Sequence, residues 1–235
     1  YKVYIGPDAD GIAYASSQII NPTDGFIASD IDAVTSLKSL PRGDNWTILG
    51  EDVITEYIQR TIKLAPRPGD IKIVYTAMHG VGTETVQRVF NHAGFATLIL
   101  VDEQCTPDPD FPTVAFPNPE EPGAIDLALA KARDFGADLV IANDPDADRC
   151  AVSVKDYSGT WRILRGDEIG VALGAYLIEK GNVGHGAIAN SLVSSALLGK
   201  IATSKNIRFS ETLTGFKWIS KVPNLEYGYE EALGY

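Results

Sequence analysis

Three carboxylates recur at alternate positions in Asn143-Asp144-Pro145-Asp146-Ala147-Asp148-Arg149. Residues two apart in an extended turn can point to one side, so Asp144, Asp146 and Asp148 can converge. Three anions held close repel one another unless a cation lies between them. A hard divalent ion that prefers oxygen, Mg²⁺ above all, suits that donor set. Pro145 restricts the backbone and Ala147 is small, so the loop can be tight. A solvated acidic turn is the plain alternative, since Asp and Pro are ordinary turn residues; strict alternation at a strand end favours a site. An EF-hand loop would carry Gly at its sixth position and Glu at its twelfth. Here those positions are Arg149 and Lys155.

Such a loop needs rigid elements on both sides. Ala137 to Ala142 reads as a buried strand leading in, and Cys150 to Val154 as a strand leading out. Upstream, Ile71 to Tyr75 is a strand, Thr76 to Gly82 a loop, and Thr83 to Ala93 a helix closed by Gly94. Ala96 to Val101 is a further strand, a loop rich in Asp and Pro follows, and Ala124 to Phe135 is helical. Strand, helix, strand, helix, strand implies a mostly parallel sheet with helices on both faces. Ligands bind at the carboxyl ends of such strands, where the loops at 76–82 and 143–149 both fall. Before this unit, Val53, Tyr57, Ile58 and Ile62 recur at helical spacing within Ile48 to Ala65, and Pro66-Arg67-Pro68-Gly69-Asp70 ends that helix. The chain opens with an expected strand over 1–5, turn chemistry from Gly6 to Asp10, and a helix near Ile27 to Leu37. After Gly159 the same rhythm returns. Strands are expected at Trp161–Leu164, Ala187–Asn190, Ile207–Glu211 and Leu225–Glu230, with helices from Arg165 to Glu179 and Ser194 to Ser204. The fold class is α/β: two tandem related domains with mixed, mostly parallel sheets.

The 235 residues carry 31 acidic and 20 basic side chains, a net charge of −11. That balance argues against a nucleic-acid partner and against an anionic membrane surface. A phosphorylated substrate would need local Arg, Lys or Mg²⁺ to overcome the field. Two cysteines in unrelated contexts, Cys105 and Cys150, make neither a disulfide scaffold nor a zinc site and suit a reducing, cytoplasmic compartment. No apolar run is long enough to span a bilayer.

An ordered set of motifs carries a resemblance. Asp144-Pro-Asp-Ala-Asp-Arg149, Thr214-Gly-Phe-Lys217 and the Glu-Glu-Ala-Leu-Gly stretch ending at Gly234 are similar to those of the α-D-phosphohexomutase superfamily, the phosphoglucomutases and phosphomannomutases. Tyr75-Thr-Ala-Met-His-Gly-Val-Gly82 and Asn118-Pro-Glu-Glu-Pro-Gly123 look most like its phosphoglucomutase and phosphopentomutase branch. The resemblance covers essentially the whole chain. It implies a four-domain enzyme of which this chain holds a central part: 1–42 as the tail of domain one, 43–157 as domain two with the metal loop, and 158–235 as a truncated domain three. Most of domain one, with a phosphoserine in a Thr-Ala-Ser-His-Asn-Pro loop, and all of domain four are expected to lie outside it.

The resemblance also implies roles. Asp144, Asp146 and Asp148 would hold Mg²⁺, and Arg149 would steady the transferring phosphate, with a salt bridge to a neighbouring Asp as its structural alternative. Thr214, Gly215 and Lys217 would form a sugar-recognition loop opposite Glu230, which would accept hydrogen bonds from sugar hydroxyls. Many relatives have Ser where this chain has Ala232, which leaves the sugar preference open. Lys2 matches a position proposed as a general acid or base. His79 reads as a buried or capping histidine, placed by the resemblance in an active-site loop. The intact protein would interconvert a sugar 1-phosphate and its 6-phosphate, with glucose first, then mannose, then a pentose 5-phosphate, through phosphoserine and a bisphosphorylated sugar. This chain alone is expected not to turn over. The alternatives are a non-catalytic module that binds metal and sugar phosphate, and a phosphatase of the haloacid dehalogenase kind. For the latter, Ala147 or Arg149 spoils the usual Asp-x-Asp context.

Overall fold

The computed structural model describes residues 2–6, 17–65 and 68–235. Tyr1, the turn expected over 7–10, and Pro66-Arg67 lie outside the described residues. The chain divides into two compact units. One comprises Gly50–Leu173 with Glu231–Tyr235, the other the residues up to Leu49 with Gly174–Glu230.

The first unit is built on a five-stranded sheet of β1 (Ile73–Thr76), β2 (Ile99–Leu100), β3 (Leu139–Asn143), β4 (Cys150–Lys155) and β5 (Trp161–Ile163), in the order β2-β1-β3-β4-β5. β1 runs parallel to both β2 and β3, and β4 and β5 follow as antiparallel neighbours. All four residues of β1 are buried, the continuous pattern of a strand covered on both faces. Its alternate side chains feed two cores. Ile73 and Tyr75 pack with Val86 and Phe90 of the helix Thr83–His92. Val74 packs with Ala128 and Ala132 of the helix Asp126–Asp134. The two alanines stand four apart, so one small-residue stripe of that helix meets the sheet. On the first of these faces, the helix Glu51–Thr61 buries Ile58, and its Glu51 pairs with Arg88. These three helices and the helix Thr23–Asp32 number α1 (Thr23–Asp32), α2 (Glu51–Thr61), α3 (Thr83–His92) and α4 (Asp126–Asp134) in chain order.

The expectation that Trp161–Leu164 opens the second unit is corrected. Those residues form β5, which pairs antiparallel with β4 through Ser153↔Ile163 and Lys155↔Trp161. The physical reason is the intervening turn. The Asp156 carboxylate accepts from Ser158 N (2.8 Å), Ser158 Oγ (2.6 Å) and Thr160 N (3.0 Å), which reverses the chain at once into a hairpin. The strand expected over 96–101 is also shorter. Only Ile99 and Leu100 enter the ladder, at the edge of the sheet. The units part within the helix α5 (Gly166–Glu179), between Leu173 and Gly174. The last five residues return to the first unit, where Leu233 O accepts from Cys150 N at 3.0 Å.

The second unit holds a parallel three-stranded sheet of β6 (Ala187–Ser191), β7 (Arg208–Thr212) and β8 (Leu225–Tyr229), ordered β7-β6-β8, with helices α6 (Leu197–Ser204) and α7 (Phe216–Ile219). β6 is central and wholly buried. Near the start of the chain, residues 3–5 pair with 17–19 through Ile5 N to Ser17 O (2.9 Å) and Ile19 N to Val3 O (3.0 Å), a single antiparallel bridge rather than a full strand. The first helix lies at 23–32, ahead of the expected 27–37. Among the described residues, no helix is long and apolar enough to cross a membrane.

Candidate metal centre

β3 and β4 are antiparallel, and Asn143↔Cys150 is their last pair. The carboxylate stretch is therefore the hairpin loop between them. Asn143 anchors its base: Oδ1 accepts from the Tyr75 hydroxyl at 2.9 Å, and Nδ2 donates to Arg149 O at 2.6 Å. Burial raises the Tyr75 phenol far above its ordinary pKa, so it remains a donor at any physiological pH. Within the loop, Ala147 N donates to Asp144 O at 2.9 Å, and Ala147 takes φ 59°, a left-handed conformation that its small side chain tolerates better than a branched one would.

Asp144 is buried, whereas Asp146 and Asp148 are exposed. One oxygen from each of the three lies within 4.8 Å of the others. The alternation read from the sequence thus does bring the three carboxylates together. Arg149 closes the ring. Its backbone N donates to Asp144 Oδ1 (3.0 Å), its Nε to Asp144 Oδ2 (2.8 Å), and its Nη1 to Asn118 Oδ1 (3.1 Å). Here Arg149 makes the salt bridge that was its structural alternative, and it is half-buried in doing so. Burial pushes the Asp144 carboxyl above the usual carboxylate range. The Arg149 hydrogen bonds oppose this, and the neighbouring Asp146 carboxyl adds to it. A buried carboxylate crowded by two others is an environment that a cation would relieve. The donor set fits a hard ion: it is all oxygen, and two of the three carboxylates are open to solvent.

Two family models match the chain: alpha/beta/alpha domain II of phosphoglucomutase/phosphomannomutase over residues 54–159, and domain III over residues 165–235. The chain belongs to the phosphoglucomutase/phosphomannomutase family. All of it aligns with a probable phosphomannomutase of Haemophilus influenzae at 48% identity, covering 48% of that protein. It also aligns in full with the phosphopentomutase of Mus musculus at 35% identity, covering 41%. A phosphoglucomutase/phosphomannomutase family protein from Burkholderia thailandensis has the same fold over 78% of this chain and 38% of its own, with a TM-score of 0.64 at 22% identity. The chain spans about half the length, or less, of the curated relatives it matches.

The carboxylate loop lies in the first unit. Lys2, Thr214, Gly215, Lys217 and Glu230 all lie in the second. Lys2 is exposed. Thr214 and Gly215 form a turn before the one-turn helix α7, and Gly215 takes φ 110°, open to glycine alone at no steric cost. Glu230 follows β8 directly and is half-buried. His79 is buried, with Nε2 at 2.7 Å from Thr113 Oγ1, and so is held within the protein. Two residues at the site had no role in the sequence reading. Asn118 belongs to the 118–123 motif but meets Arg149 only across 31 positions of chain, and Asn143 opens the acidic motif as its anchor. A pocket of about 630 Å³ behind the loop, lined by Tyr57, Val89, Phe90, Asp146 and Ala147 among others, left no sequence signal.

Proposed function

We propose that this chain is the central part of a sugar-phosphate mutase, and that Asp144, Asp146 and Asp148 are its metal ligands. The observation that carries the reading is the convergence of three carboxylates in one pinned hairpin loop, in a chain of this family. Residues 1–42 are read as the tail of domain one, 43–157 as domain two, completed by β5, and the rest to residue 235 as domain three. A bound Mg²⁺ would supply electrostatic neutralisation of a phosphoryl group in transfer.

The chain's own groups do the remaining work in this reading. Arg149 is held in a fixed plane by Asp144 and Asn118, and its remaining guanidinium N–H groups would steady a phosphate. Thr214, Gly215 and Lys217 would contact one side of the sugar and Glu230 its hydroxyls, with Ala232 giving no hydroxyl of its own. Lys2 would exchange a proton with the reacting hydroxyl. The phosphoryl donor is a phosphoserine outside these residues. It gives its phosphoryl to a sugar monophosphate, and the bisphosphate formed returns the other phosphoryl to serine. The substrate is a sugar phosphate, glucose first and mannose or a pentose next, in the cytoplasm.

Replacing Asp146 by Asn removes one unit charge and keeps the side-chain shape. Mg²⁺ affinity, measured by titration calorimetry, is expected to fall about tenfold or more. Unchanged affinity would remove the metal assignment.

A further inference from the structure

We propose that the polar network behind the loop 77–82, buried at Thr76, His79 and Gln104 and closed at the surface by Thr113, is a clamp that sets the position of the carboxylate loop. Gly80 is its contact point, and His79, Gln104 and Thr113 are its positioning residues. The inference rests on the metal reading of Asp144, Asp146 and Asp148.

β1 and β3 are parallel neighbours in register through Thr76↔Ala142, so the loops that follow them leave the sheet side by side. The first of these loops has an uncommon backbone. Met78 (φ 49°) and His79 (φ 63°) are consecutive non-glycine residues in the left-handed region. Such conformations persist where the surroundings over-determine them, and here they do. Thr76 Oγ1 accepts from Met78 N (3.0 Å) and donates to Gln104 Oε1 (2.7 Å). Gln104 O accepts from His79 N (2.8 Å), and His79 O accepts from Asp108 N (3.0 Å). Gln104 Nε2 donates to Thr113 Oγ1 (2.9 Å), and His79 Nε2 meets the same hydroxyl at 2.7 Å. The Phe111 ring stands edge-on to the imidazole at 6.4 Å. Thr76, His79 and Gln104 are all buried. A buried network with its members satisfied specifies one arrangement, because any slip leaves a polar group unpaired in a low dielectric.

The held loop then meets the metal loop most tightly at Pro145. Val81 N donates to Pro145 O at 2.9 Å. A Cβ on Gly80 would stand closer than 3.0 Å to the Cα, C and O of Pro145. Gly80 is not among the residues with positive φ, so alanine would meet no backbone strain there, and the objection is contact alone. Pro145 joins Asp144 to Asp146. A shift at Pro145 therefore moves two of the three carboxylates against the third.

The test is Mg²⁺ titration by calorimetry on the full 235-residue chain, with Mn²⁺ electron paramagnetic resonance as a second probe. Gly80→Ala is expected to weaken binding about tenfold or more, in the range found when groups supporting metal ligands are lost. Thr113 is exposed, so Thr113→Ala drops the shared hydroxyl without opening a core cavity; the His79 and Gln104 atoms left unpaired are expected to lower the melting temperature, and binding is measured well below it. The substitution is expected to weaken Mg²⁺ binding about threefold. Thr113→Ser keeps the hydroxyl and should restore the wild-type affinity. Wild-type affinity in both Gly80→Ala and Thr113→Ala would overturn the clamp. If Gly80→Ala fails to fold, the Thr113 pair decides alone. Absence of Mg²⁺ binding by the wild-type chain would instead overturn the metal reading and the clamp with it.

Discussion

Cys150 stands at the closing pair of the hairpin that carries the carboxylate loop, yet its chemistry is suppressed: burial pushes its thiol up to about 11. Burial raises the Cys105 thiol as well. At pH 8 a thiol titrating at about 11, as Cys150 does, is about one part in a thousand thiolate, against roughly a quarter for a free cysteine. A disulfide reagent of the Ellman type is therefore expected to label Cys150 slowly in the native chain at pH 8 and both cysteines rapidly in urea. Fast native labelling of Cys150 would show that its thiol, half-buried beside the pocket, is more acidic than its surroundings imply. Legibility was uneven at this scale. The three carboxylates were readable because alternation is a local property of sequence. Their division into one buried and two exposed members was not, since it depends on Arg149, itself held by Asn118, pairing with Asp144. The choice between phosphate ligand and ion pair for Arg149 could not be made from spacing either, because Asn118 reaches it from a separate loop.

The elements that hold these residues were legible where periodicity was strong, and less so where a turn decided the topology. α2, α3, α4 and β1 lie close to where spacing put them, since amphipathic and fully buried runs carry their own signal. β5 was assigned to the wrong sheet, because its membership rests on a compact turn around Asp156 rather than on its own residues. The return of 231–235 to the first unit is a long-range pairing with no sequence signature. A second carboxylate-held turn gives a test at this scale. Glu226, on β8, accepts from Gly184 N (2.6 Å) and His185 N (3.2 Å), fixing the approach to β6. Those backbone donors hold its carboxyl below the ordinary glutamate value of 4.5. A group whose folded pKa is depressed contributes stability that is fully present above its unfolded value and is lost as pH falls through the folded one. Glu226→Gln keeps the acceptor and drops the charge. Its melting temperature is expected to lie below wild type at pH 7, and the gap should close as the pH falls well below 4.5. A gap independent of pH would mean that the charge contributes nothing to the turn.

At the scale of the whole molecule, binding a phosphorylated sugar and moving its phosphoryl group separate. A net charge of −11 repels phosphates, so affinity for one must come from a local cation or from fixed donors such as Arg149. Transfer needs more: a nucleophile within about 3–3.5 Å of phosphorus and in line with the leaving oxygen. The unit that carries the carboxylate loop has two serines, Ser153 and Ser158. Ser153 is buried inside β4, paired with Val140 well back from the loop end of that strand. Ser158 sits in the turn at the opposite end of β4, bonded to Asp156. Neither can face a phosphate held at Asp144, Asp146 and Asp148. The 235 residues also contain no Thr-Ala-Ser-His-Asn-Pro run. The chain by itself is therefore expected to bind Mg²⁺ and yet convert no glucose 1-phosphate to glucose 6-phosphate in a dehydrogenase-coupled assay. It should also take up no phosphoryl group from glucose 1,6-bisphosphate, which intact-mass measurement would read directly. Turnover, or a stable phosphoryl adduct on any residue of this chain, would place a nucleophile inside it and displace the reading in which the phosphoserine lies elsewhere in the protein. Mg²⁺ binding without either is the behaviour of a unit that supplies the metal loop to chemistry completed by other parts of the polypeptide.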